Sequence, residues 1–280
     1  MLSILAVFHN KWITGAGIAG LLAIFLLGLL YFFQERLIFY PQTMTEEEVQ
    51  RVADSYPNAE EISFTAEDGT ALHGWLVHAS PEAEVNRLLI YYGGNAEELS
   101  GQIPMMSEHL ENWSVLLVNY RGYGASEGSL DEEKMYEDAL LIHDEIQAQY
   151  PIETLAVMGR SIGTAVAVNT AAERTADNVI LVSPFDSFKE VAGHHYPFLP
   201  VSLLLRYTFP SEEKINDISA PLLVIAAEED QVIPGERTRA LLAQREGGAE
   251  TVWIPNRGHN DMHVNTEFWD AIRAFLPEES

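Results

Sequence analysis

The sequence predicts an α/β domain built on a mostly parallel sheet of about eight strands, with helices on both faces and one N-terminal transmembrane helix in front. Three observations lead there. Residues 13–33 hold no charged side chain, which suits a bilayer, whose core needs about 20 apolar residues as a helix. From residue 37 onward, short apolar runs alternate with helical patterns, the order of a sheet whose parallel strands are joined by crossover helices. The runs also lack an alternating polar face, as strands buried on both sides do. Composition agrees. The chain has 280 residues, 47% hydrophobic and 21% charged, so a large core is available and general disorder is excluded. It has no cysteine, which excludes disulfides, thiolate metal sites and cysteine nucleophiles. Its net charge of −26 repels phosphate backbones and anionic headgroups alike. A nucleic-acid partner is therefore not expected, and a membrane must be met through something apolar.

The first element is that apolar run. Trp12 and Tyr31 near its ends suit the interfacial aromatic belt, and Lys11 and Arg36 suit the flanks. A signal peptide would be shorter and would close on small residues, whereas this run passes through Phe32 and Phe33 into Gln34-Glu35-Arg36. A core helix would show a polar face. The chain accordingly divides into an anchor at 1–36 and a domain at 37–280. Gly15-Ala16-Gly17-Ile18-Ala19-Gly20 matches a dinucleotide fingerprint, but no strand precedes it and none follows before Glu35, so it reads as small residues for helix packing.

The domain then opens with a short apolar piece at 37–40, stopped by Pro41. Thr45 before Glu46-Glu47-Glu48 marks a helix start, with a cap and acids in the first turn. Runs at 62–66 and 72–79 flank Glu67-Asp68-Gly69-Thr70, a hairpin turn. Six further runs follow at 88–92, 115–119, 155–158, 179–182, 222–227 and 251–254, with helical patterns at 132–149, 162–173, 234–245 and 265–275.

The chemistry sits where one run meets one helix. Residues 155–158 lead into Gly159-Arg160-Ser161-Ile162-Gly163, followed by a small-residue helix. This is G-x-S-x-G between a strand and a helix, a sharp turn that projects its serine while the helix start aims N–H groups at an oxyanion. Ser161 is the expected nucleophile. The acid and the base are expected later, in that order. Asp230, in the Glu228-Glu229-Asp230 run just past the 222–227 strand, is the chosen acid, with Glu228 and Glu229 as runners-up that are expected to be solvated. His259, after Gly258 in the loop past the last strand, is the chosen base. His263 competes from the next helical segment, and His194 and His195 come too early in the chain. Backbone N–H groups of Asn95, behind Gly93-Gly94 at the end of the 88–92 strand, and of Ile162 are the expected oxyanion donors.

Taken together, Gly93-Gly94-Asn95-Ala96, the stretch from Asn119-Tyr120-Arg121-Gly122 to Ser126-Glu127-Gly128, Gly159-Arg160-Ser161-Ile162-Gly163-Thr164, Ser183-Pro184-Phe185 and Arg257-Gly258-His259-Asn260-Asp261 resemble the alpha/beta-hydrolase family. The branch is similar to the Bem46-type membrane-anchored serine hydrolases that include alpha/beta hydrolase domain-containing proteins 13 and 17. The resemblance covers nearly everything after residue 37. It implies an alpha/beta-hydrolase fold, a Ser161/Asp230/His259 triad, and hydrolysis of carboxyl esters or thioesters through an acyl-enzyme with no metal or organic cofactor. Relatives carry histidine where this chain has Gly93, so loop rigidity or substrate preference is expected to differ. Residues 186–216, rich in aromatic and branched side chains, are the natural place for a short cap over an acyl substrate. The competing class is an inactive, membrane-tethered binding or scaffold protein, whose signature would be a missing triad member. A peptidase would ordinarily bring a second large domain, for which there is no room. The acid excess and the four lysines suggest adaptation to salt.

Overall fold

The computed structural model describes residues 2–80 and 84–277, and of residues 2–16 and 19 the backbone alone. The expected outer limits of anchor and domain, residues 1 and 280, lie outside these. The first element, α1, is one helix of 37 residues, Leu2–Ile38, about 55 Å long at 1.5 Å per residue. Within it Gly20–Ile38 has a mean hydropathy of 1.8 and is only 6% buried. Leu21, Ile24 and Phe32 are 70%, 68% and 73% exposed. This is no core helix: it is one helix near the N-terminus long and apolar enough to cross a membrane. The piece expected at 37–40 is not a separate element. The helix runs through Ile38, and Phe39 turns into the domain, edge-on to Tyr207 at 4.9 Å between ring centroids. Pro41 explains the stop, since the residue before a proline avoids the helical region.

Next comes α2, Glu46–Ser55, which starts on a capping box: the Glu48 N–H donates to Thr45 Oγ1, and the Thr45 N–H donates to Glu48 Oε2 at 2.8 Å. The hairpin follows as β1, Ala59–Thr65, and β2, Ala71–Val77, turning at Gly69 with φ +86°. β3 is Arg87–Tyr92. A 3-10 turn at Leu99–Gln102 and α3, Ile103–His109, then occupy a stretch for which the sequence predicts no element. Only two turns carry its apolar spacing, too few for a periodic signal. β4, Ser114–Val118, and α4, Glu132–Gln149, precede β5, Thr154–Arg160, and α5, Gly163–Glu173. β6 is Asn178–Val182. Three short helices follow within 188–214: α6, Phe188–His195; α7, Val201–Leu204; and α8, Ser211–Lys214. β7, Leu222–Ala227, α9, Gly235–Gln244, β8, Glu250–Ile254, and α10, Thr266–Phe275, complete the chain.

The eight strands form one sheet in the order β1-β2-β4-β3-β5-β6-β7-β8. The first two pairings, β1 with β2 and β2 with β4, are antiparallel; the remaining five are parallel. β4 through β7 are buried on both faces, while the opening strand β1 alternates and the edge strand β8 is half-exposed. Successive residues of β5 serve opposite cores. Val157 packs with α4 and α5 residues such as Ile142 and Val166, and Met158 packs with α3 and α10 residues such as Met106 and Phe268. A sheet held this firmly presents the C-terminal ends of β3, β5, β6, β7 and β8 side by side, and all the predicted site residues are on the loops that leave β3, β5, β7 and β8.

Candidate active site

Ser161 follows β5 directly and has φ +52°, a left-handed conformation that a non-glycine residue rarely adopts. Its neighbours show why the turn closes. A Cβ on Gly159 would lie 2.3 Å from the Gly163 carbonyl oxygen, and one on Gly163 would lie 2.2 Å from the Tyr92 carbonyl oxygen. Strand, turn, helix and β3 thus meet at van der Waals contact only because both positions are glycine. The Ser161 N–H is held by the Val182 carbonyl at 2.9 Å, and the Thr164 hydroxyl donates to the Ser161 carbonyl at 2.6 Å. The turn is therefore braced from β6 and from α5.

The acid and the base are joined directly. His259 Nδ1 and Asp230 Oδ2 lie 2.8 Å apart, with the side chains 8% and 2% exposed. Asp230 uses every acceptor it has: Oδ1 accepts the Val232 and Ile233 N–H groups at 2.9 and 2.8 Å, and Oδ2 also accepts the Ser183 hydroxyl at 2.9 Å. Burial alone would raise this carboxyl, but the bond from His259 and these N–H and O–H donors outweigh it and hold its pKa below the usual carboxylate value. Glu228 and Glu229 are exposed. His263 falls in a 3-10 turn, Met262–Val264. Among the described residues no hydrogen bond joins the Ser161 hydroxyl to the His259 ring; with Nδ1 turned to Asp230, Nε2 is the nitrogen that faces other partners.

The β3 loop lies against the serine: a Cβ on Gly94 would be 3.6 Å from Ser161 Cβ and 3.3 Å from the Arg160 guanidinium. The Gly94 N–H is engaged by Glu97 Oε2 at 2.6 Å. Among the described residues neither the Asn95 nor the Ile162 N–H donates to another group. The two expected oxyanion donors are thus unoccupied while their neighbour is not. At Gly93 the space for a side chain is filled: a Cβ there would meet Leu99 Cδ2 at 2.5 Å, and Leu99 is itself 1% exposed. A side chain at 93 would therefore need the Leu99 methyl to move within a closed core.

Three residues that sequence reasoning missed complete the site. Ser183, with φ +50°, holds the acid. Arg160, the variable residue before the serine, donates to Glu97 at 3.1 Å, to the Asn260 side chain at 2.8 Å and to the His259 carbonyl at 3.3 Å. Glu97, 8% exposed as a side chain, also accepts from Tyr91 Oη and Gln102 Nε2. One half-buried ion pair therefore ties the β3 loop, the serine turn and the histidine loop together. No sequence signal marks it, because its members come from positions 97, 160 and 260. A cavity of about 600 Å³ opens beneath Arg160, between the β3 loop and the histidine loop, lined by Asn95, Met158, Met262, Phe268 and Trp269 among others. No residue of 186–216 lines it, so it lies away from the segment where the sequence suggested an acyl site; there Phe198 and Leu203 point outward, 78% and 81% exposed.

Comparison with known proteins gives the following. The family model "Serine aminopeptidase, S33" matches residues 106–211. A protein of Mycobacterium tuberculosis is 33% identical over 250 residues, 88% of each chain. Human alpha/beta hydrolase domain-containing protein 17B is 31% identical over 216 residues, 75% of this chain and 73% of that one. Among solved structures, an esterase of Pyrococcus furiosus superposes with a TM-score of 0.66 at 16% identity, over 85% of this chain and 97% of that one.

Proposed function

The chain belongs to the alpha/beta-hydrolase family, and on that premise we propose that it is a membrane-anchored serine hydrolase of carboxyl esters or thioesters, acting through Ser161, His259 and Asp230. The observation that carries this reading is a buried His259–Asp230 pair on the loops that leave β7 and β8, in the same sheet whose β5 ends in a serine held at φ +52°. In the reaction His259 Nε2 takes the Ser161 proton as Oγ attacks the substrate carbonyl carbon. Asp230 keeps the Nδ1 proton in place and stabilises the imidazolium. The Asn95 and Ile162 N–H groups stabilise the oxyanion. Collapse of the tetrahedral intermediate passes the proton from His259 to the leaving oxygen or sulfur and leaves an acyl-serine. Water, deprotonated by His259, repeats the sequence and frees the acid. The cavity that Arg160 of the serine turn lines carries Met158, Phe268 and Trp269 beside Glu97 and Asn260, a mixed wall that suits a substrate with an apolar part and a polar one. The exposed apolar face of α1 supports the anchor, since such a surface is stable in lipid and not in water. The esterase named among the solved structures favours ester chemistry.

The test is labelling of the full chain in detergent by a fluorophosphonate. Wild type is expected to label, and Ser161→Ala and His259→Ala to lose the label. A folded wild type that does not label would leave the scaffold reading in its place.

A further inference from the structure

Asn95 carries two functions that point in opposite directions. Its N–H stands at the oxyanion position of the reading above. Its side chain grips the end of α1. Asn95 Nδ2 donates to the Ile38 carbonyl at 2.6 Å, and Oδ1 accepts the Tyr40 N–H at 3.2 Å and the Tyr123 hydroxyl at 3.0 Å. Ile38 is the last residue of α1, and the last four carbonyls of any helix have no partner within it. Asn95, 57 positions away, supplies a donor to one of them. The segment that leaves the helix is pinned again a few residues later. The Gly124 N–H donates to the Gln42 carbonyl and the Met44 N–H to the Gly124 carbonyl, at 2.7 and 2.8 Å. On its other side α1 is fixed to the last residue of α7 and to the stretch after it. Gln34, 6% exposed, donates to the Leu204 carbonyl at 3.1 Å and accepts the Arg206 N–H at 2.8 Å. The helix end is thus a rigid part of the domain, and its only side-chain link to the β3 loop among the described residues is Asn95.

We propose that Asn95 is a positioning residue that fastens the oxyanion loop to the end of the N-terminal helix, so that the orientation of its own N–H is set by where that helix meets the domain. The proposal rests on the reading of this N–H as an oxyanion donor. The loop is held at Gly93 by the Tyr120 hydroxyl and at Gly94 by Glu97, so at residue 95 itself, next to Ala96 at φ +58°, the side chain is the tether, and its removal frees that one N–H to turn. Displacement of an aligned group by about 1 Å is enough to lower a rate by about 10²-fold. Substrate affinity depends on the cavity walls as a whole, of which Asn95 is one residue among many, and is expected to change far less than the rate.

The experiment uses the full chain in detergent micelles with p-nitrophenyl butyrate as the probe, and compares wild type, Asn95→Ala, Asn95→Asp and Tyr123→Phe. Each variant keeps the backbone N–H of residue 95. Asn95→Ala is expected to lower kcat by about 10²-fold with KM nearly unchanged. Asn95→Asp, which can still accept from Tyr40 and Tyr123 but cannot donate to Ile38, is expected to fall between it and wild type. Tyr123→Phe is expected to lower kcat a few-fold. Amide exchange of residues 93–97, followed by mass spectrometry in the same samples, is expected to accelerate at least tenfold in Asn95→Ala while β5 stays protected, which separates a freed loop from an unfolded protein. Wild-type kcat in Asn95→Ala, or unchanged exchange of 93–97, overturns the proposal. If wild type shows no Ser161-dependent turnover, the hydrolase reading fails on its own, and the exchange of 93–97 still decides whether Asn95 holds the loop.

Discussion

Asp230 shows how one side chain can be placed by many weak constraints. Two N–H groups, a hydroxyl and an imidazole converge on a carboxylate 2% exposed. Asp230→Asn would keep the shape but present an NH₂ or a neutral oxygen to His259 and release the tautomer. Hydrolysis by this variant is expected to fall on the order of 10⁴-fold, read as kcat at neutral pH. The same substitution makes a prediction about stability. The folded pKa of Asp230 is depressed below 3.8, so its ionised form is stabilised by folding. That contribution is present above the unfolded value and is lost as pH falls through the folded one. The stability gap between wild type and Asp230→Asn, from urea titrations, should be constant near neutrality and close as the pH drops below 3.8. A gap that persists unchanged into that range would assign the effect to packing instead.

Between elements, Arg121 does for the domain what Arg160 does for the site. From the loop after β4 it makes a two-pronged contact with Asp138 of α4, at 2.6 and 2.8 Å, and reaches Asp68 in the β1–β2 turn at 2.7 Å. Burial raises the Asp138 carboxyl, and the bond and charge of Arg121 oppose that rise. Arg121→Met would leave Asp138, 9% exposed as a side chain, without its counter-charge. Removing one partner of a buried pair costs about 3–5 kcal/mol, and chemical denaturation of this variant should show a loss of that order. A loss of a few tenths would mean that water reaches Asp138 and that the antiparallel end of the sheet is not held through this arginine. The hairpin turn and the 132–149 helix are both legible from sequence, because each is a local pattern. Their connection is not, because Asp68, Arg121 and Asp138 share no spacing.

At the scale of the whole molecule the dominant quantity is charge. With 42 acidic against 16 basic residues, the folded state concentrates repulsion that the unfolded chain spreads out. Salt shortens the reach of that repulsion, from about 10 Å at 0.1 M to about 3 Å at 1 M. Thermal unfolding of the full chain in detergent should therefore move to higher temperature between these concentrations. A flat profile would mean that the acids are spaced widely enough not to interact. The acid excess also sharpens the contrast with α1, whose exposed apolar side chains, with Phe198 and Leu203, are suited to hydrocarbon.

What the sequence determined by itself is what short-range chemistry dictates. An uncharged run makes a helix long and apolar enough to cross a membrane, buried runs and amphipathic patterns make a mostly parallel sheet with its crossovers, and two glycines around Ser161 make a turn that no other residue type would close. The order Ser161, Asp230, His259 could be read because each lies at a strand end, and strand ends are legible one at a time. The tertiary structure alone decided which of those ends touch. It brought Ser183 onto Asp230, set Arg160 between Glu97 and Asn260, filled the place of a side chain at 93 with Leu99, and tied Asn95 to the last carbonyl of α1. These contacts join residues far apart along the chain. Nothing in the local preferences of one partner encodes the identity of the other, so they exist only once the sheet has ordered its strands.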